Sequence, residues 1–227
     1  VKQQQQRKKD GEKSDHSRMF GAYGEITRVI QGRGYDTAID QENMANTPKR
    51  CAKAMEEMVC RWPDIVAYIE RHINRTFPGN ACGIVVQTGI MVSCLCPHHF
   101  MPVIMNVEMG WLPKNSRIVG ISKPGRCAQM LGRRPVLQEE YASDLADILC
   151  SEDGYTSVER GRDPALPRLE SSGAAVIVTA IHTCMACRGA NILAPTTVSE
   201  IRGSFQQQEQ KAEFLSLLEA ARRHPRV

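Results

Sequence analysis

Two short segments that lie far apart in the chain, Cys96-Pro97-His98-His99 and His182-Thr183-Cys184, constrain the fold more than any other feature. Two thiolates and one imidazole reach a single ion only if the fold brings both segments to one place. Cys96 and His99 lie three positions apart, close enough to share an ion, and Cys184 must arrive from elsewhere. Zinc takes four ligands, and three from the protein with an open fourth position is the catalytic pattern rather than the structural one. A hydrolytic zinc enzyme is the first reading. Two thiolates leave the ion formally neutral, so it acidifies its water less than a three-histidine site, where the bound-water pKa is about 7. A nearby base is then useful, and His98 and His182 stand beside the ligands with an ordinary pKa of about 6.5. The structural alternative is a closed zinc site of Cys94, Cys96, Cys184 and Cys187, which leaves three histidines unused. Cys51, Cys60, Cys82, Cys127 and Cys150 read as buried free thiols. His16, His72 and His224 read as surface histidines without partners.

Composition narrows the class. Hydrophobic residues make up 42% of 227 and aromatics only 5%, so an aliphatic core with Met and Cys filling gaps is expected. No apolar run of about 18 residues suggests a membrane span, and the first residues show no apolar segment of a secretory signal. Nine cysteines, an odd number, point to a reducing compartment, with the cytoplasm as default. The net charge is +4, and residues 1–18 hold six Lys/Arg against three Asp/Glu. The rest lacks the basic stripe of a nucleic-acid binder, so a small anionic ligand is the expected partner.

The expected organisation is a disordered polar tail over 1–17, a helical region over 18–80 and a catalytic domain over 81–227. Helices are expected from Met19 to about residue 31 and from Thr47-Pro48, with Thr as N-cap and Pro at N1. Residues 83–95 and 101–112 read as strands joined by the ligand-bearing segment. Helices follow over about 123–134 and 138–149, then a long loop over 151–172. Residues 174–180 read as a strong strand and 191–201 as a weaker one, with Pro195 marking an edge or bend. A terminal helix covers 206–222. The order ββααββ is an α+β pattern.

Ser122-Lys123 with Arg126 sets a hydroxyl and two cations at a helix start, where backbone N–H groups and the dipole favour phosphate. Arg188 adds a cation four residues past Cys184, and Arg50 is a weaker candidate. Gln138-Glu139 offers a carboxylate beside a carboxamide; a carboxylate accepts from N1–H and the 2-amino group of guanine together, a pair adenine cannot make. Each of these also reads, alone, as an ordinary solvated residue. No Gly-rich phosphate loop is present, so Walker-type nucleotide binding is not supported.

Taken in order, these residues carry a resemblance. From about residue 19 to 215 the chain resembles GTP cyclohydrolase I, through Thr47-Pro48-Lys49-Arg50-Cys51-Ala52-Lys53, Cys96-Pro97-His98-His99 with Pro102, and Gly120-Ile121-Ser122-Lys123. It continues through Arg133-Arg134 to Gln138-Glu139, His182-Thr183-Cys184-Met185 with Arg188-Gly189, Phe205, and Glu213-Phe214-Leu215. The resemblance implies the tunnelling fold, an antiparallel ββααββ sheet with two helices on one face, preceded by N-terminal helices. It also implies a homodecamer of two face-to-face pentamers with active sites between subunits. The implied reaction converts GTP and water to 7,8-dihydroneopterin triphosphate and formate, opening pterin synthesis toward folate or biopterin. Zn²⁺ would be held by Cys96, His99 and Cys184, and would activate the water that adds to C8. His98 and His182 would be the acid–base pair, His182 protonating N7. Gln138 and Glu139 would read guanine, Lys123, Arg126 and Arg188 would hold the triphosphate with Arg50 beside them, and Ser122 would lie near the rearranging sugar.

The chain departs from that family at Pro97, where a Glu is usual, at Glu108, where many members have His, in the extra thiols Cys94 and Cys187, and in the long loop 151–172. Proline fixes φ and removes an N–H, which puts ligand geometry in question. It also motivates an alternative: a non-catalytic or altered-specificity relative serving as a binding or regulatory subunit. A further alternative is another tunnelling-fold enzyme acting on a pterin or deazapurine.

Overall fold

The computed structural model describes residues 2–35, 37–80, 83–152 and 161–223. Its contacts divide the chain into two units, residues 1–59 and 60–227. The first holds α1 (Lys2–Gln31), α2 (Ala38–Met44) and α3 (Thr47–Met58), with α1 packed along α3. Residues 2–17, read from composition as a disordered tail, continue α1. Gln, Lys, Arg and Glu are good helix formers; their polarity argues against a buried core, not against helix. Thr47 is the first helical residue of α3 rather than its cap, which falls to Asn46, and Pro48 sits in the first turn where its missing N–H costs nothing. His16, expected to lack a partner, has Nδ1 2.9 Å from Glu56 Oε1.

The second unit runs α4 (Trp62–Ile73), β1 (Thr76–Pro78), β2 (Val85–Leu95), β3 (Pro102–Pro113), β4 (Arg117–Val119), α5 (Ser122–Leu131) and α6 (Gln138–Leu149). It ends with β5 (Ser171–His182), α7 (Thr183–Ala186), β6 (Thr196–Gly203), a 3-10 turn (Ser204–Gln206) and α8 (Gln208–Arg223). β2, β3, β5 and β6 form one antiparallel sheet in the order β2-β3-β5-β6, and β1 pairs with β4 in a small second sheet. The ββααββ order read from the sequence is therefore present, with α5 and α6 between the two hairpin halves. The helical region expected over 18–80 spans the division after residue 59. α4 belongs to the second unit, where its stripe of Ile65, Ile69 and Ile73 is buried and the helix packs on α5. His72, also expected without a partner, stacks on Tyr68 at 4.1 Å and has Nδ1 2.8 Å from Tyr68 O.

Side-chain alternation along the strands assigns the two faces. Val103, Met105, Val107, Met109 and Trp111 of β3, with Ala174, Val176, Val178 and Ala180 of β5, form the core under the helices. On the other face Ala175, Phe205, Phe214 and Leu218 pack α8 onto the sheet. Within the expected 151–172 loop, Leu166 and Leu169 are buried, and Leu169 N–H donates to Ile148 O at 2.7 Å. β5 starts at Ser171, three residues earlier than expected, and residues 153–160 lie outside those described. Cys127 and Cys150 are buried as expected and Cys51 and Cys60 partly so, while Cys82 and His224 lie outside the described residues. No helix among the described residues is long and apolar enough to cross a membrane.

Gly132 closes α5 against the sheet: a Cβ there would stand 2.9 Å from Ser93 O and would also meet the Val92 side chain. Gly132→Ala is expected to destabilise the protein by about 1–3 kcal/mol in urea unfolding. Gly21→Ala on α1, where a Cβ meets nothing within 4 Å, should be neutral or stabilising by up to about 1 kcal/mol.

Candidate functional site

Strand register builds the site. Leu95 at the end of β2 pairs with Pro102, and Val103 pairs on its other side with His182 of β5. The residues that follow β2 and β5 therefore emerge at the same end of the sheet. Between β2 and β3 the chain turns tightly. The N–H groups of His99 and Phe100 donate to Cys96 O at 3.4 and 2.8 Å, and Cys96 N–H donates to Met101 O at 2.9 Å. Pro97 takes the second position of this turn, where its fixed φ is favoured and no N–H is required. Phe100 has φ +51°, an uncommon value for a residue with a Cβ, and the surrounding bonds hold it there. After β5 the chain makes the single turn α7, fastened where Thr183 Oγ1–H donates to Pro102 O at 2.6 Å.

The three expected metal donors converge. One ligand atom each from Cys96, His99 and Cys184 lie within 4.8 Å of one another, the two cysteines buried and the histidine exposed. Cys96 Sγ stands 3.7 Å from His99 Nδ1. Two soft sulfurs and one imidazole fit the chemistry of a zinc-type ion. Burial, then the neighbouring Cys96, push the Cys184 thiol above its ordinary value, and Arg188 pulls the other way. Loss of hydration, Arg188 and His98 hold the His99 imidazole below its usual value, favouring the neutral form a metal needs. Cys94 and Cys187 stay outside this group. Cys94 is buried in the core, which pushes its thiol up to about 12. Cys187 is exposed and donates its S–H to Thr183 O at 2.7 Å. The closed four-cysteine alternative therefore lacks geometric support among the described residues.

Gln138 is fully engaged inside the protein. It is only 3% exposed, and its Nε2 donates to Val178 O at 2.8 Å and Thr196 O at 2.9 Å. Both amide hydrogens are thereby used, which fixes the amide orientation and leaves Oε1 as an acceptor. That oxygen lies 3.0 Å from His182 Nε2. An acceptor there requires His182 to carry its proton on Nε2, leaving the lone pair of the neutral ring on Nδ1. The sequence groups Gln138 with Glu139 as a base reader. The structure turns Gln138 inward onto His182 and leaves Glu139 exposed at the start of α6. Its position in the first helical turn could not reveal which face it would occupy.

The remaining candidates are distributed around the unit. His98 is exposed, its ring 6.2 Å from that of His99 and edge-on to it. Ser122, Lys123 and Arg126 stand in the first turns of α5. Ser122 and Arg126 line a cavity of about 460 Å³ whose opposite wall is the β2 irregularity between Gln87 and Ile90, where Gly89 has φ +67°. None of the three metal donors lines that cavity. Arg188 is exposed in the segment after α7, and Arg50 is exposed on α3 in the other unit. Glu108 is buried, and its two carboxylate oxygens accept from Nε and Nη2 of Arg222 on α8.

A family model described as GTP cyclohydrolase I matches residues 23–158, well over half of the chain. A protein named GTP cyclohydrolase 1 from Halalkalibacterium halodurans is 30% identical over 208 residues, covering 91% of this chain and 98% of its own length. Another of that name from Desulforamulus reducens is 28% identical over 195 residues, covering 85% and 93%. A crystal structure of an archaeosine synthase QueF-Like in the apo form superposes with a TM-score of 0.34 and 15% identity over 53% of this chain and 94% of that one, a likeness too slight to carry an argument.

Ligation requires both thiols to lose their protons, and burial opposes that loss at Cys184. Affinity for added Zn²⁺ is expected to rise with pH between about 6 and 8, with proton release on binding. Competition against a chromophoric chelator measures the first, and calorimetry in buffers of different ionisation enthalpy measures the second.

Proposed function

The chain belongs to the GTP cyclohydrolase I family, and from that premise we propose that it converts GTP and water to 7,8-dihydroneopterin triphosphate and formate, with Zn²⁺ on Cys96, His99 and Cys184. The observation that carries the reading is the convergence of those three donors at the sheet end where a buried amide sets the tautomer of His182. When bound, the zinc would supply Lewis-acid activation of water for addition at C8 of the purine.

The chain's own residues supply the rest. With Nε2–H committed to Gln138, Nδ1 is the His182 nitrogen that exchanges protons with the substrate: the imidazolium form gives its Nδ1 proton to N7, and the lone pair left on the neutral ring takes one back. His98, exposed beside His99, is the second proton carrier. Glu139 accepts N1–H and the 2-amino group of guanine. Lys123, Arg126 and Arg188 balance the triphosphate charge, Arg188 also lying close enough to act on Cys184 and His99. Ser122 serves the sugar, and Arg50 is a further cation for the phosphates. The cavity bearing Ser122 and Arg126 lacks the metal donors, which favours a site completed between copies of this chain. The strands β2 and β6, at the ends of the sheet order, are available for pairing in a ring, and the resemblance implies a ring assembly of ten subunits. Residues 81–227 form the catalytic part in this reading, the compartment is the cytoplasm and the product enters pterin synthesis.

Incubation with GTP and Zn²⁺, then oxidation and phosphatase treatment, should yield neopterin fluorescence that a chelator abolishes. A metal-loaded protein with no such product would overturn the reading. His182→Ala should keep its zinc and lose turnover by about 100-fold or more; an unchanged rate removes its proton-transfer role. Gln138→Leu should keep zinc and lose about 10- to 100-fold in kcat, because the imidazole is no longer held in one tautomer and orientation.

A further inference from the structure

Residues 161–170 meet α6 at its C-terminal end through Leu169 N–H on Ile148 O and nearer its start through the Arg162 guanidinium, and we propose that Arg162 is a positioning residue that keeps the base-reading turn of α6 in register with the turn carrying Cys96. The inference rests on the functional reading above and adds a determinant of base recognition contributed by this loop.

Arg162 pairs through Nη1 with Asp144 and through Nη2 with Glu140. Its guanidinium carbon lies 5.0 Å from the Trp62 ring centroid, and that of Arg134 lies 5.1 Å from the same ring. Arg134 shares the Asp144 Oδ2 acceptor, and the Asp144 side chain is 0% exposed. Trp62 Nε1–H donates to Pro164 O at 2.8 Å, which fastens the segment that carries Arg162. Burial and the nearby Arg134 pull the Arg162 guanidinium down to about 10, so it remains a cation at neutral pH.

This cluster touches both arms of the site. Leu95 N–H donates to Arg134 O at 3.4 Å and Val136 N–H donates to Leu95 O at 3.1 Å, so the backbone of Arg134 is tied to the residue before Cys96. Glu140 follows Glu139 and lies two residues after Gln138, whose Oε1 accepts from His182. The first turn of α6 also has no side-chain cap, since Leu137 holds the N-cap position. First turns lack intrahelical partners for their N–H groups and are prone to fray. Gln138 holds the buried side of this turn, and the Arg162–Glu140 pair restrains its outer side. Removing Arg162 leaves Asp144 paired with Arg134, so the buried charge stays compensated; what is lost is the grip on Glu140.

The test compares Arg162→Ala, Arg162→Lys and Glu140→Gln with the unaltered protein, by zinc content, melting temperature, and kcat and KM for GTP and for ITP, which lacks the 2-amino group. Arg162→Ala should keep its zinc, raise KM for GTP by about 5- to 20-fold with kcat within about threefold, and lose a similar factor of preference for GTP over ITP. Glu140→Gln should reproduce the shift. Arg162→Lys should recover it only in part, because an ammonium does not offer the two-pronged fork. A lowered melting temperature with KM and the GTP/ITP ratio unchanged would make Arg162 merely structural and overturn the proposal. Should Arg162→Ala not fold, Glu140→Gln decides on the same readouts. Equilibrium binding of GTP and ITP separates this idea from the functional reading. Binding preference lost in the variants, in a protein that turns nothing over, sinks that reading and sustains this one; turnover with preference intact does the reverse. Wild-type protein that binds neither nucleotide overturns both.

Discussion

Pairing through β3 is the constraint on which the Cys96, His99 and Cys184 end of the sheet depends. β3 holds Pro102 opposite Leu95 and Val103 opposite His182, so the turn after β2 and the turn after β5 meet. A slip of one residue in either ladder would send each side chain to the other face and part Cys96 and His99 from Cys184. Burial on both faces specifies the register. Val103, Met105, Val107, Met109 and Trp111 fill the helix side. On the other, Gly110 lets Phe214 approach so closely that a Cβ would stand 2.7 Å from its ring, and Glu108 is claimed by Arg222. Neither set of contacts survives a shifted strand.

Polar groups that the fold buries are placed where the site needs rigidity. An amide buried without partners costs roughly 1–3 kcal/mol in proteins, so Gln138 is tolerated because Val178 O, Thr196 O and His182 satisfy it. Those partners leave the imidazole one orientation and one tautomer. Asp144 is a costlier case: a buried charge is acceptable only when paired and hydrogen-bonded, and Arg134 and Arg162 both reach it. Such clusters contribute little net stability. Here the arrangement joins α4, α6, the segment before Pro135 and the chain after residue 160.

The departures from the family pattern have separate physical accounts. Pro97 lies in a turn position that suits proline, and Cys96, His99 and Cys184 offer donor atoms within 4.8 Å of one another with proline there. Glu108 pairs with Arg222, which turns the position into a fastening for α8. Cys94 is a core thiol and Cys187 an exposed one bonded to the α7 backbone. The long loop contributes Leu166 and Leu169 to the core and Arg162 to α6.

Local pattern was enough to read several elements from the sequence. α6 was delimited at both ends because its apolar spacing begins after Pro135 and Leu137 and stops at Cys150. β2 and β3 were read from their apolar, β-branched runs, and the ββααββ order followed. α7, of four residues, and the three-residue strands β1 and β4 escaped notice, since elements so short carry no period of their own. Residues 2–17 are helical although their composition is that of a polar tail, because a composition too polar for a core still favours a helix. By itself the sequence determined which atoms were available: two sulfurs and an imidazole for an ion, two histidines for protons, cations for an anion, a carboxylate for a base. Only the tertiary structure decided which way Gln138 faces, which nitrogen of His182 bears the proton, and that Arg162 reaches Glu140 and Asp144. Those choices belong to the long-range packing of β5, β6 and the chain after residue 160 around α6, because a side chain's hydrogen-bond partners are set by what the fold brings beside it and not by its neighbours in sequence.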